Sequence, residues 1–235
     1  MSFWKKTFGV AAGGTVLAAW AYVLLRRWQW RWLAEEDEVA RSMPLDGEIE
    51  DPTYVTNRAI TIRAHPEAIW PWIAQMGELP RGGFYSYVTV ERLLRMKVSN
   101  ADRILPEFQN PRIGEAIDRA GTMLVKAVEP NRFLVLGPPP TPEFDATWAM
   151  ALYPSWDEST RLVSRCRARL PRGWKGRFLF AVLDPGQFLM ERKMLLEIKK
   201  RVRSSRAHRP AVSMASRRAA GGATRAAVEV RSSFL

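Results

Sequence analysis

The sequence contains one cysteine and two histidines in 235 residues. A lone Cys166 excludes an intrachain disulfide and a cysteine metal cluster. It sits between Arg165 and Arg167 in an alternating run, so a small buried apolar role is expected rather than a reactive thiol. His65 and His208 are too few for a two-histidine, one-carboxylate iron site, and they show no histidine metal spacing. His65 directly precedes a helical pattern, a capping or exposed place, and His208 lies near the C-terminus. No nucleophile elbow and no phosphate-binding glycine loop occurs either. The sequence therefore assigns no catalytic residue, no cofactor and no metal.

Acid is missing from residues 1–33, where Lys5, Lys6, Arg26, Arg27 and Arg31 stand unopposed. Residues 204–235 carry six arginines against Glu229 alone. The two ends thus hold most of the +12 net charge, and the middle is close to neutral. The pI of about 10.4 belongs to the ends, so it does not mark the folded part as a nucleic-acid binder.

Charge is also absent from Phe8 to Leu25, eighteen residues in a row. That is the lower edge of what crosses a bilayer core, about 17–25 residues. Lys5 and Lys6 flank one end and Arg26, Arg27 and Arg31 the other, with Trp4, Trp28, Trp30 and Trp32 just outside. Indoles favour the headgroup level, so residues 1–33 read as a membrane anchor with one transmembrane helix at 8–25. A secretory signal cut after Ala19-Trp20-Ala21 is an alternative, but the apolar run continues past that site to Leu25. A helix lying flat would need a polar face, which the run lacks. Three arginines after the span against two lysines and the amino terminus before it point to a cytoplasmic domain.

Residues 34–52 are acidic and turn-rich and read as a juxtamembrane linker, helical at its start. Tyr54 to Arg63 alternates as a strand. A helix begins near Pro66, with Ile69, Trp70, Ile73 and Met76 at helical spacing and Pro71 set to kink or shorten it. Arg81-Gly82-Gly83 turns the chain, and Tyr87 to Met96 supplies a second helix. Strands are expected at Ile113–Arg119, Met123–Glu129, Phe133–Leu136, Ala146–Tyr153 and Thr160–Leu170, with a hairpin turn at Pro130-Asn131. In the last, Leu162, Ser164, Cys166, Ala168 and Leu170 share one face. The other carries Arg161, Val163, Arg165, Arg167 and Arg169 and reads as a solvated outer surface. A long helix should start at Asp184-Pro185, capped by Asp184 with Gln187, its stripe formed by Phe188, Met194, Leu195, Ile198 and Val202. Residues 204–235 read as a disordered basic tail.

Two helices after one strand, then antiparallel strands and a long amphipathic helix, is an α+β order. It combines with Trp70-Pro71-Trp72, Gln75-Met76-Gly77-Glu78, Arg81 to Tyr87, Glu91-Arg92, Ile104 to Glu107 and Gln109. Together these resemble the SRPBCC superfamily, also called START-like or helix-grip proteins, in a bacterial subgroup of unassigned chemistry. The resemblance covers about Tyr54 to Arg203, so residues 53–203 are expected to form the helix-grip domain. It implies a curved antiparallel sheet wrapped around the long C-terminal helix. The short helices would close one end and leave a cavity for an apolar molecule. The superfamily spans lipid carriers, hormone receptors, cyclases and oxygenase domains, so the fold alone names no reaction.

The polar and aromatic residues expected on that cavity are Trp72, Gln75, Tyr85, Tyr87, Glu91 and Gln109. Glu91 and Arg92 are neighbours about 100° apart on a helix, so both cannot face inward. An ion pair from Glu91 to Arg81 or Arg103 ranks above an acid–base role. The leading functional expectation is a membrane-anchored binding or transport module for a lipid or another hydrophobic small molecule. The alternatives are a cyclase- or dehydratase-like enzyme using a cavity tyrosine or glutamate, and a non-catalytic membrane scaffold.

Overall fold

A computed structural model describes residues 20–93, 95–139, 141, 144–170 and 173–207. The chain divides into two compact units, Met1–Lys199 and Lys200–Leu235; in the second, the described residues 200–207 are helical. Five strands make one antiparallel sheet: β1 (Tyr54–Ile62), β2 (Leu124–Glu129), β3 (Phe133–Gly137), β4 (Asp145–Pro154) and β5 (Thr160–Arg169). Their spatial order is β1-β5-β4-β3-β2. The helices are α1 (residues 20–30), α2 (Glu36–Ala40), α3 (Pro66–Ala74), α4 (Val88–Leu93) and α5 (Trp174–Ala207).

Register follows from the period of two in β5. Arg58 and Met150 both stand opposite Ser164, while Thr56 and Trp148 both stand opposite Cys166, so these side chains share one face. That face meets α5, as the Arg58–Glu191 and Tyr54–Asp184 contacts show. The other face is not solvated as the sequence suggests. Ala59, Val135, Ala149, Ala151 and Val163 form a second small core there with Met43. The acidic stretch read as a linker folds over it. Arg161 grips Glu38, and Arg165, only 3% exposed, bonds Asp46 and the carbonyls of Arg41, Glu38 and Val39. Arginines alternate along β5 because an acidic cover neutralises them, a pattern in which each charge explains the other.

Other expectations change as well. Ile113–Arg119 is not a strand; Gly114 has φ 84 and Ile113 is exposed, leaving only an Ala116–Leu124 bridge. The second helix is Val88–Leu93 rather than Tyr87 to Met96. α3 runs past Pro71 without ending there, because the proline lies in a nine-residue helix and forfeits at most one internal bond. The long helix starts at Trp174, ten residues before the Asp184 expected to cap it, and continues to Ala207, so residues 204–207 are helix and not tail. Pro185 and Gly186 thus lie inside α5. Asp184 is a buried polar anchor: it accepts from Tyr54 Oη at 2.6 Å, Trp30 Nε1 at 2.9 Å and Arg26 Nη2 at 3.1 Å.

Those bonds hold α1 to the domain. Trp28 and Trp32 meet Phe188 edge-on, and Trp32 is buried. Tryptophans expected at a headgroup belt are therefore used at least partly in packing. The run Phe8–Leu25 lies mostly outside the described residues, as do residues 208–235. Among the described residues no helix is long and apolar enough to cross a membrane.

Candidate functional site

Between the sheet and α5 lies a cavity of about 510 Å³. α4 and the loops beside it supply Phe84, Ser86, Val90, Glu91 and Met96; the sheet side supplies Met123 and Trp148. α5 contributes Leu183, Gly186, Gln187, Met190, Glu191 and Met194. The lining is mostly apolar and rich in methionine, a side chain that adapts to irregular shapes. Among the described residues it contains no lysine, arginine or histidine. Leu183 and Val90 are both exposed, which puts a way in between α4 and the middle of α5. Pro185 and Gly186 interrupt α5 at that point; proline removes the donor that the Ala181 carbonyl would use.

An antiparallel sheet laid across one long helix, with a hollow between them, is the arrangement expected above. The fold is α+β, with one five-stranded antiparallel sheet gripping a long C-terminal helix. No protein-family model and no curated protein matches the chain. Solved structures do. A Mesorhizobium loti protein is similar over 64% of this chain and 98% of its own, at 17% identity and TM-score 0.37. A START superfamily protein from Mycobacterium smegmatis is similar over 62% and 97%, at 9% identity and TM-score 0.36. A putative protein of the dynemicin biosynthetic locus is similar over 63% and 48%, at 12% identity and TM-score 0.37.

Within the helix-grip domain, Glu91 is the expected site residue that lines the cavity. It is fully buried, and neither carboxylate oxygen has a hydrogen-bond partner among the described residues. Burial pushes its carboxyl above the usual range. The expected ion pair with Arg81 or Arg103 does not form. Arg81 Nη1 instead bonds Glu115, while its Nε and Nη2 donate to the carbonyls of Met76 and Ala74 and so close the C-terminus of α3. Arg103 offers only its carbonyl, to Gln75.

The remaining expected residues are placed elsewhere. Gln75 is a bracket: its Nε2 donates to Tyr85 Oη at 2.9 Å and to the Arg103 carbonyl at 3.1 Å, and its Oε1 accepts from Leu105 N at 2.8 Å. Gln109 Nε2 donates to the Leu105 carbonyl at 2.9 Å, and Trp72 packs edge-on against Tyr85. Gly82 lets Gln75 approach, since a Cβ there would stand 2.8 Å from Gln75 Nε2. Gly83 has φ 78 and backs onto Asn100, whose side chain bonds Tyr85 N and the Ser86 carbonyl. This knot positions α4, and through it Glu91, and reaches the cavity at Ser86. Tyr87 is exposed, with Lys193 over its ring at 5.3 Å.

The second carboxyl on the cavity, Glu191, was missed. Burial alone would lower the Arg58 guanidinium, but the adjacent Glu191 outweighs it and the arginine stays charged. One Glu191 oxygen binds Arg58, and its Oε1 is buried without a hydrogen-bond partner among the described residues. A signal was present in the sequence. Arg58 is the lone cation on the face shared by Tyr54, Ile60 and Ile62, and a buried arginine requires a buried acid facing it.

Cys166, expected to be a small buried residue, is half-buried. Its thiol faces the α5 side near Gln187 and is pushed up to about 12, first by burial and then by Glu191. The thiolate fraction at pH 8 is therefore minute, and alkylation by iodoacetamide should proceed at least a hundredfold faster in 6 M guanidinium than in the native protein. Comparable rates in both would place the thiol outside the core.

Proposed function

We propose that the domain binds a largely apolar small molecule in the cavity between the sheet and α5, with Glu91 at the molecule's polar part. The observation that carries this is a buried carboxyl with both oxygens unpartnered among the described residues, on a residue that lines an apolar chamber, without the arginine that a merely structural role would supply. An unpaired buried carboxyl costs about 1–3 kcal/mol. A ligand that meets it repays that cost on binding.

A lipid surface is the proposed source of the ligand. Trp20, Tyr22, Leu24 and Leu25 on α1 and Trp174, Phe178, Val182 and Leu183 on α5 are all exposed, and the Trp28–Phe188 contact holds the two helices together. Exposed apolar side chains of this size suit a bilayer boundary better than water. Those on α1 form the end of the uncharged run Phe8–Leu25, which supports membrane anchoring of the domain near the way into the cavity.

Gly186 offers a clean test. It lines the cavity, and a Cβ there would meet nothing within 4 Å. Gly186→Phe should fill the way in at no cost in strain and gain helix propensity of about 0.5–1 kcal/mol. Nile red, a neutral apolar fluorophore, should bind the wild type one to one and lose at least tenfold in affinity to Gly186→Phe. Absent binding, or binding indifferent to Gly186→Phe, would contradict the reading.

The same observation favours one second reading, an acid-catalysed elimination. Glu91 as the neutral acid would give its proton to a departing hydroxyl, which leaves as water. The carboxylate so formed would then take a proton from the adjacent carbon. This reading requires Glu91→Gln to bind Nile red normally and to abolish turnover.

A further inference from the structure

We infer that the molecule taken into the cavity is a cationic amphiphile: an apolar body carrying one protonated amine, seated between Glu91 and Glu191. This rests on the binding role proposed for the cavity and goes beyond it by naming the charge of the ligand.

The argument is one of balance. Two carboxyls line the chamber, and among the described residues no cation does. Glu191 is compensated by Arg58, which reaches it from the sheet. Glu91 has no such partner. Among the described residues, the cations on neighbouring elements have partners elsewhere: Lys193 bonds Glu197 at 3.1 Å and lies over Tyr87, and Arg192 lies over Trp32. Arg26 is committed to Asp184. Three carboxylate oxygens on the cavity residues, both of Glu91 and Oε1 of Glu191, are buried acceptors waiting for a donor. The unmatched donor nearby, Arg58 Nη2, belongs to a residue outside the lining, with its guanidinium over the Phe188 ring. A primary ammonium has three donors and one positive charge, which meets both deficits at once. A fatty carboxylate or a phosphate ester would add charge of the same sign to a chamber with nothing to answer it. Trp148 and the methionine sulfurs suit the rest of such a molecule, since an aromatic face and polarisable groups tolerate a nearby cation.

The experiment is a displacement series on the full chain at pH 7, with decylamine, decanol and decanoate competing for bound Nile red. Decylamine should displace the dye at a concentration at least tenfold below either of the others. The net charge of +12 works in the opposite sense, so non-specific attraction would favour decanoate. In Glu91→Gln the advantage of the amine should shrink to within threefold, and Glu91→Met provides the same comparison if the amide variant folds poorly. Decanol or decanoate competing as well as the amine would overturn the inference while leaving the cavity reading intact. So would an amine preference that survives both substitutions. Should Nile red itself fail to bind, the cavity reading falls and the inference with it.

Discussion

Glu191→Leu is expected to destabilise the protein by about 3–5 kcal/mol, because it strands the Arg58 charge in the interior. Arg58 is fully buried on the inner face of β1, and its guanidinium otherwise has the Gln29 carbonyl at 3.0 Å and one nitrogen without a partner. A loss of that size lowers Tm on the order of 10 °C for a chain of this length. Combining it with Arg58→Met should recover most of the stability, since an apolar pair of similar volume carries no desolvation cost. Urea denaturation of the single and double variants measures both. A single variant within 1 kcal/mol of the wild type would mean that water reaches Arg58 and that the pair does not tie α5 to the sheet.

Glu91→Met is expected to act in the opposite direction, raising stability at neutral pH by about 1–3 kcal/mol while removing the polar end of the ligand site. The sign follows from linkage. The native carboxyl titrates above its unfolded value of about 4.3. Between those two values the native state holds more protons than the unfolded one, so wild-type stability falls as pH rises through that window. Below the window this loss is absent, and above it the loss is complete. The advantage of the methionine variant should therefore be small near pH 4 and grow as pH rises through that window. A variant less stable than wild type at pH 7 would show that Glu91 has a partner worth more than its desolvation. Few core substitutions are expected to stabilise a protein; one that does so marks a residue kept for a purpose other than folding.

How far the sequence could be read depended on whether a feature was local. β5 was legible because its alternation is carried by ten adjacent residues, and the hairpin between β2 and β3 because Asn131 takes the positive φ that such a turn requires. The block from Trp70 to Gln109 was recognisable as a unit, but its role was misplaced. Gln75, Tyr85 and Gln109 look like polar guests in an apolar wall and are in fact bonded to one another and to the backbone. Only the three-dimensional accounting of donors and acceptors separates a structural knot from a ligand site. Glu91, from the same block, is the member left out of that accounting. The start of α5 was misread for a different reason. Asp184, Pro185 and Gln187 form a plausible helix beginning, and nothing nearby in sequence reveals that Asp184 answers Tyr54, Trp30 and Arg26. The acidic cover over β5 was likewise hidden, because residues more than a hundred positions apart supply its two charges.

The most direct measurement is a carbon-13 NMR titration of the Glu91 side-chain carboxyl, first in the empty protein and then with decylamine bound. The account predicts one carboxyl resonance titrating above the ordinary glutamate range, absent in Glu91→Gln, that moves to lower pH when the amine enters and shares its charge. A Glu91 resonance with an ordinary titration midpoint, unmoved by the amine, would contradict it.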